Sequence, residues 1–272
     1  MAILKLHGER HTGTRAMLAM IRRAGQVSLP GRGPLTGART AEQAELDAAI
    51  ESHFRGSWRR LHREAAREEA AAGRSALHAW KHAAPRHDPS FAALDMRLLL
   101  TVRDPYAWLW SLYRRPYHMA GPPARSLIDF IDRPWRLSSR DGLGHLLRSP
   151  VDLWQAKIRA AQACAAACKA VGQPVAWIRF EDFVADPAAS LGGALRALDL
   201  PDGGLDPLPR STKRDGRTQA QIAADVAAFD PVAVMGEAAC ARIAARLSPA
   251  LCVEFGYRHS VTEAVLQRHA AE

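Results

Sequence analysis

The chain has 272 residues, 48% hydrophobic and 24% charged, a composition that excludes wholesale disorder and a fibrous protein. Lys and Arg number 37 against 28 Asp and Glu, a net charge of +9, so an anionic partner of some kind is expected, although a basic, arginine-rich proteome gives the same balance. No apolar run reaches the roughly 18 residues of a membrane span, and four cysteines do not make a disulfide framework in a chain of this size.

Residues 2–7 form a short apolar run that ends at Gly8 and reads as a buried strand. This run is too short for a signal peptide and is cut by Lys5, so the expectation is a soluble, cytoplasmic protein. From residue 12 to about 24 the pattern turns helical, with Met17, Leu18, Met20 and Ile21 on one side. Residues 25–40 carry several Gly and Pro and read as a loop, and 41–72 as one or two solvated helices. Residues 75–80 are a second candidate strand. Residues 96–102 (Met-Arg-Leu-Leu-Leu-Thr-Val) are so apolar that they are expected in the centre of a parallel sheet, covered on both faces. Pro105 then opens a helix to about residue 115.

Residues 116–150 read as irregular, 151–171 as a long amphipathic helix and 174–180 as the last strand. Pro187 opens a helix to about 198, residues 201–218 form a loop, and the remainder is mostly helical with Gly256 near its end. Strands alternating with helices predict one α/β domain over 1–272, with a central, mostly parallel sheet flanked by helices.

Gly8-Glu9-Arg10-His11-Thr12-Gly13-Thr14-Arg15 joins the first strand to the first helix. Backbone N–H groups at such a turn, with the positive end of the helix, make a cradle for phosphate or sulfate. Gly8 and Gly13 have the spacing of a Walker loop, but Thr14 and Arg15 stand where a nucleoside triphosphatase needs Lys and then Ser/Thr. The plain alternative is an ordinary turn capped by Thr. The second junction starts at Thr101-Val102-Arg103-Asp104-Pro105, with Ser111 eight residues after Arg103, about two helical turns along. Arg103 can give a charge-assisted bond to a phosphate near the strand ends, and Ser111 can reach the same ligand. Otherwise Arg103 pairs with Asp104 and Ser111 is a buried helix residue.

Together these segments resemble the phosphosulfate loop and the 3′-phosphate motif of sulfotransferases that use 3′-phosphoadenosine 5′-phosphosulfate (PAPS). The first is similar to Gly-x-x-(Arg/Lys)-(Ser/Thr)-Gly-Thr, the second to Arg-(Asp/Asn)-Pro with Ser eight residues after the Arg. Residues 177–187 (Trp-Ile-Arg-Phe-Glu-Asp-Phe-Val-Ala-Asp-Pro) resemble the family's Tyr-Glu-Asp-Leu…Asp-Pro stretch, and Trp80-Lys81-His82-Ala83-Ala84-Pro85 its Lys-Thr-His-Leu-Pro segment, shifted by one residue. Ser211-Thr212-Lys213-Arg214-Asp215-Gly216-Arg217 looks like its late basic loop, and also reads as a solvated loop. One departure stands out: the family carries Lys or Arg directly before the Ser/Thr-Gly, and this chain has His11, with Arg10 one place earlier.

The resemblance implies a three-layer P-loop-like fold and metal-independent transfer of a sulfuryl group from PAPS to a hydroxyl or amine of a small-molecule, carbohydrate or peptide acceptor. Positioning and electrostatics supply most of such catalysis. It implies a cradle of Arg10, His11, Thr12, Gly13, Thr14 and Arg15. Arg103 and Ser111 clamp the 3′-phosphate, helped by Lys213, Arg214 or Arg217. Arg10 or His11 is the cation on the leaving group, Lys81 a cation at the sulfuryl group, and His82 the first choice of base, since imidazole titrates near neutrality. Glu9 is a weaker base, because a carboxylate beside an anion must be paired. A P-loop kinase and a non-enzymatic binder of polyanions are the competing readings; no nucleic-acid-binding signature is present. Cys164, Cys168, Cys240 and Cys252 read as small buried residues. Trp108, Trp110 and Tyr113 line an acceptor pocket or pack in the core, and the Arg114-Arg115 segment is polar enough to meet an acceptor.

Overall fold

The computed structural model describes residues 2–30, 81–116, 123–137, 141–143, 146–213 and 215–257. Among them β1 (Ile3–Gly8), β2 (Met96–Val102) and β5 (Val175–Arg179) form a parallel sheet in the order β1-β2-β5. Leu6 sits opposite Leu99, and Thr101 opposite both Gly8 and Ile178, so the three strands end together at one edge of the sheet. Helices α1 (Thr14–Ala24), α2 (Ser90–Ala93) and α3 (Pro105–Arg114) interleave with the first two strands. Helix α4 (Leu127–Asp132), the two-stranded pair β3 (Trp135–Arg136) and β4 (Leu146–Leu147), and α5 (Pro150–Ala170) precede β5. After it come α6 (Phe180–Ala185), α7 (Pro187–Ala197), α8 (Gln219–Ala227), α9 (Pro231–Met235), α10 (Glu237–Ala244) and α11 (Pro249–Glu254). The architecture is α/β with a small open parallel sheet. No helix among the described residues is long and apolar enough to cross a membrane.

Strand β2 is central for the reason its sequence gives. Its side chains alternate between two faces, and both are apolar. Leu98 and Leu100 pack with Phe91, Cys164 and Cys168 on one face, while Leu99 joins Leu4, Leu6, Met17, Ile21 and Leu195 on the other. Val102 leads into a third cluster with Trp108, Leu112, Phe130 and Trp154. The cysteines are free and buried.

The helices start where capping chemistry places them. Asp104 accepts from the Ala107 amide at 2.8 Å, Ser149 from Asp152 at 3.2 Å and Asp186 from Ala189 at 3.0 Å, each followed by Pro at the first helical position. These caps move the expected start at 151 to Pro150. They also show Asp104 as a helix cap. The expected start at 12 moves to Thr14, because Gly13 takes φ 80° and no side chain caps α1. The stretch 116–150, expected to be irregular, contains α4 and the β3–β4 pair, both too short to show a period. The candidate strand 75–80, the helices of 41–72 and most of the loop 25–40 lie outside the described residues.

Candidate functional site

The loop between β1 and α1 is shaped by side-chain-to-backbone bonds. Thr12 donates its hydroxyl to the Glu9 carbonyl at 2.6 Å and accepts from the Thr101 hydroxyl at 2.7 Å, so Thr12 braces the loop instead of capping the helix. Gly8 is compulsory here: a Cβ on it would lie 1.7 Å from Oγ1 of Thr101. Gly13 combines φ +80° with the Phe180 ring 3.1 Å from where a Cβ would stand. No side chain caps α1 and the Ala16 amide donates to the Gly13 carbonyl at 2.9 Å, so the N–H groups of Thr14 and Arg15 are the ones placed to meet an anion. His11, between these glycines, has φ 66°, a left-handed conformation that costs a non-glycine residue energy unless its surroundings impose it.

The end of β2 meets the loop at this residue. Arg103 Nη1 donates to the His11 carbonyl at 3.0 Å, and the guanidinium stacks on Phe180 with Cζ 4.3 Å from the ring centre. Arg103 Nε has no hydrogen-bond partner among the described residues. Burial lowers the Arg103 guanidinium to about 10, against the opposing pull of Glu181 and Asp104. Trp154 donates to the Arg103 carbonyl at 3.0 Å and Trp108 to the Arg10 carbonyl at 2.8 Å. Trp108 is thus a core residue that also ties down the loop. His11 Nε2 lies 3.2 Å from the Arg115 carbonyl oxygen and its Nδ1 3.5 Å from Lys213 Nζ. Burial, followed by the charges of Lys213 and Arg103, holds this imidazole down to about 3, so His11 is neutral.

Arg10 stands elsewhere than the cradle role implies. Its side chain is 4% exposed and bonds Glu9 at 2.6 Å and Asp141 at 3.4 Å. Lys157 completes the group: its ammonium donates to Asp141 Oδ1 at 2.9 Å and to the His82 carbonyl at 2.8 Å. Burial alone would depress the Arg10 guanidinium, but Glu9 and Asp141 outweigh it and raise it. Two cations and two carboxylates balance, which is what buried charge requires. Glu9 is therefore paired with Arg10 through Oε1, while its Oε2 is buried without a hydrogen-bond partner among the described residues, 3.7 Å from Lys157.

Lys81 and His82 lie beside the loop. The Gly8 amide donates to the Lys81 carbonyl at 2.9 Å, and His82 Nδ1 lies 2.6 Å from the Gly8 carbonyl oxygen. A carbonyl only accepts, so Nδ1 carries the proton. Burial, then Lys81 and Arg10, holds His82 well below the ordinary imidazole value. It faces a small cavity of ≈ 20 Å³, lined also by His7, Glu9, Thr12, Thr101 and Lys157, about the room of one water.

A much larger cleft, ≈ 760 Å³, opens on the other side of Arg103. Arg103, Ser111, Lys213 and Arg217 all line it. Residues from the end of β2, from α3 and from a loop a hundred residues later thus line one cleft. Arg114, Arg115 and Arg179 bring its cationic side chains to six, against Asp104, Glu181, Asp215 and Asp225. Those carboxylates are occupied: Glu181 accepts from the Asp104 amide at 3.0 Å and the Tyr257 hydroxyl at 2.8 Å, and Asp215 and Asp225 pair with Arg217. Trp110 lines the cleft, and Tyr113 packs on Phe130. Neither Lys81 nor His82 lines it. Arg214 lies outside the described residues.

Sequence reasoning passes over Asp141, Lys157, Arg179 and Tyr257. For Lys157 there was a signal, a lysine between Trp154 and Ile158 on the buried face of α5. For Asp141, 131 residues from Arg10, there was none. No protein-family model matches the chain, and no curated protein matches it.

Proposed function

We propose that the chain is a cytoplasmic PAPS-dependent sulfotransferase, one domain with a three-layer P-loop-like fold, acting on a small-molecule, carbohydrate or peptide acceptor. One observation carries the reading. Arg103 bonds the His11 carbonyl of the anion loop and also lines the cleft that holds Ser111, Lys213 and Arg217. The two motifs, far apart in sequence, therefore meet at one place.

The residues fit a doubly phosphorylated adenosine. Gly8 and Gly13 let the loop pack closely on Thr101 and Phe180, and Arg103 has a buried nitrogen without a partner among the described residues. The cleft has the size of a ligand pocket. The first turn of α1, with Thr12, Gly13, Thr14 and Arg15, would hold the 5′ end. Arg103 and Ser111, with Arg217, would hold the 3′-phosphate, selecting this nucleotide over one that lacks it. The donor supplies the sulfuryl group and a phosphate that leaves. Fixed dipoles and cations aimed at that phosphate stabilise the charge it gains. Arg10, held by Glu9 and Asp141, shapes the loop from behind. His82 holds the Gly8 carbonyl.

The test is a transfer screen with labelled PAPS against carbohydrates, phenols, amines and peptides, run with a chelator present. Label moving to an acceptor supports the reading. Phosphoryl transfer from ATP that requires Mg²⁺, with no sulfuryl transfer, overturns it in favour of a kinase.

A further inference from the structure

His11 occupies the slot in which the resembling family carries a loop cation, and it is neutral. Its tautomer follows from its partners. The Arg115 carbonyl 3.2 Å from Nε2 can only accept, so Nε2 carries the proton and Nδ1 the lone pair. Nδ1 then accepts from the ammonium of Lys213, 3.5 Å away and 202 residues later in the chain. The loop that brings Lys213 there is a formed turn. Ser211 N donates to the Arg217 carbonyl at 2.8 Å, Lys213 N donates to Ser211 Oγ at 3.1 Å, and Arg210 bridges Thr218 below it. Arg10, the other basic residue of the first loop, is bound by Glu9 and Asp141.

We infer that Lys213 supplies the cation for the 5′ end of the donor, and that His11 is the positioning residue that holds it against the first loop. This rests on the sulfotransferase reading and moves Lys213 away from the 3′-phosphate clamp. The charges around Lys213 agree. It faces Arg103 at the end of β2, Arg115 at the end of α3 and Arg217 on its own loop, against the carboxylate of Asp215. Burial and these guanidiniums lower its ammonium to about 8. An ammonium in that company is stabilised by an anion arriving at the loop.

Calorimetry with adenosine 5′-monophosphate and adenosine 3′-monophosphate separates the two ends. Lys213→Ala is expected to weaken the 5′ isomer on the order of tenfold, the worth of one charge-assisted bond, and to leave the 3′ isomer unchanged. Ser111→Ala is expected to do the reverse. In the Lys213→Ala background, His11→Lys returns a cation to the loop and is expected to restore most of the 5′ affinity. Nitrogen NMR of the free protein is expected to show His11 as the Nε2–H tautomer at pH 7, a readout independent of any nucleotide. Loss of the 3′ isomer alone in Lys213→Ala, or no rescue by His11→Lys, overturns the inference while the sulfotransferase reading stands. A wild-type chain that binds neither isomer nor the 3′,5′-bisphosphate overturns both.

Discussion

Arg103 donates from Nη1 to the carbonyl oxygen of His11 at 3.0 Å. This one bond joins the end of the central strand to the loop after the first, at a residue whose backbone is left-handed. It also occupies only part of the guanidinium, whose other nitrogens remain for a ligand.

Lysine at this position therefore fails to replace arginine. A single ammonium cannot lie flat on Phe180, hold His11 and meet a phosphate together. Arg103→Lys and Arg103→Ala are both expected to lose about 1.5–3 kcal/mol of affinity for adenosine 3′,5′-bisphosphate, the worth of a hydrogen bond to a charged group. Calorimetry measures this; a lysine variant that binds like the native chain would show that only charge matters here.

His82 is bonded to the Gly8 carbonyl, and this predicts an outcome unlike that of a general base. His82→Ala is expected to weaken bisphosphate binding and turnover together, because the loop itself loosens. Loss of turnover at full nucleotide affinity would return His82 to the role of base.

The buried group of Glu9, Arg10, Asp141 and Lys157 predicts a large effect on stability. Lys157→Met takes from Asp141, 2% exposed, its 2.9 Å bond to the Lys157 ammonium. Removing one partner of a buried pair costs about 3–5 kcal/mol. Urea denaturation checks this, and a loss below about 1 kcal/mol would contradict it.

The same neighbourhood makes the fold sensitive to acid. Burial and Lys5 hold His7 well below its ordinary value, burial and Lys81 do so for His82, and His11 is held to about 3. Each binds a proton more weakly in the fold than in the unfolded chain. Unfolding free energy should therefore fall with pH below about 6.5, by up to about 1.4 kcal/mol per pH unit for each histidine, and none of them contributes a slope above it. Denaturation of His7→Gln between pH 6.5 and 5 is expected to show a slope shallower by one such increment. An unchanged slope would mean that His7 is charged in the fold.

Much of this arrangement is legible in the residues. Met96–Val102 reads as a central strand because both its faces are apolar, and Arg103 and Ser111, eight residues apart, line one cleft. The glycines of the first loop mark close approach, and Gly8 meets Thr101 where expected of a tight turn. What sequence does not carry is the partnership across distance. Arg10 and Asp141 are brought together by the whole fold, and nothing local in either segment announces the other. Likewise His11 looks like a weakened version of a loop cation until its left-handed backbone turns its ring between Arg115 and Lys213. On the inference above, the loop's charge then comes from a residue that the family resemblance assigns to the opposite end of the ligand.

The central claim is that one nucleotide, phosphorylated at both ends, bridges the first loop and Arg103. Titrating the native chain with adenosine 3′,5′-bisphosphate and with adenosine 5′-monophosphate tests it most directly. The account predicts micromolar binding of the bisphosphate, on the order of −8 kcal/mol, and an affinity for the monophosphate weaker by at least tenfold. Equal affinities would contradict it.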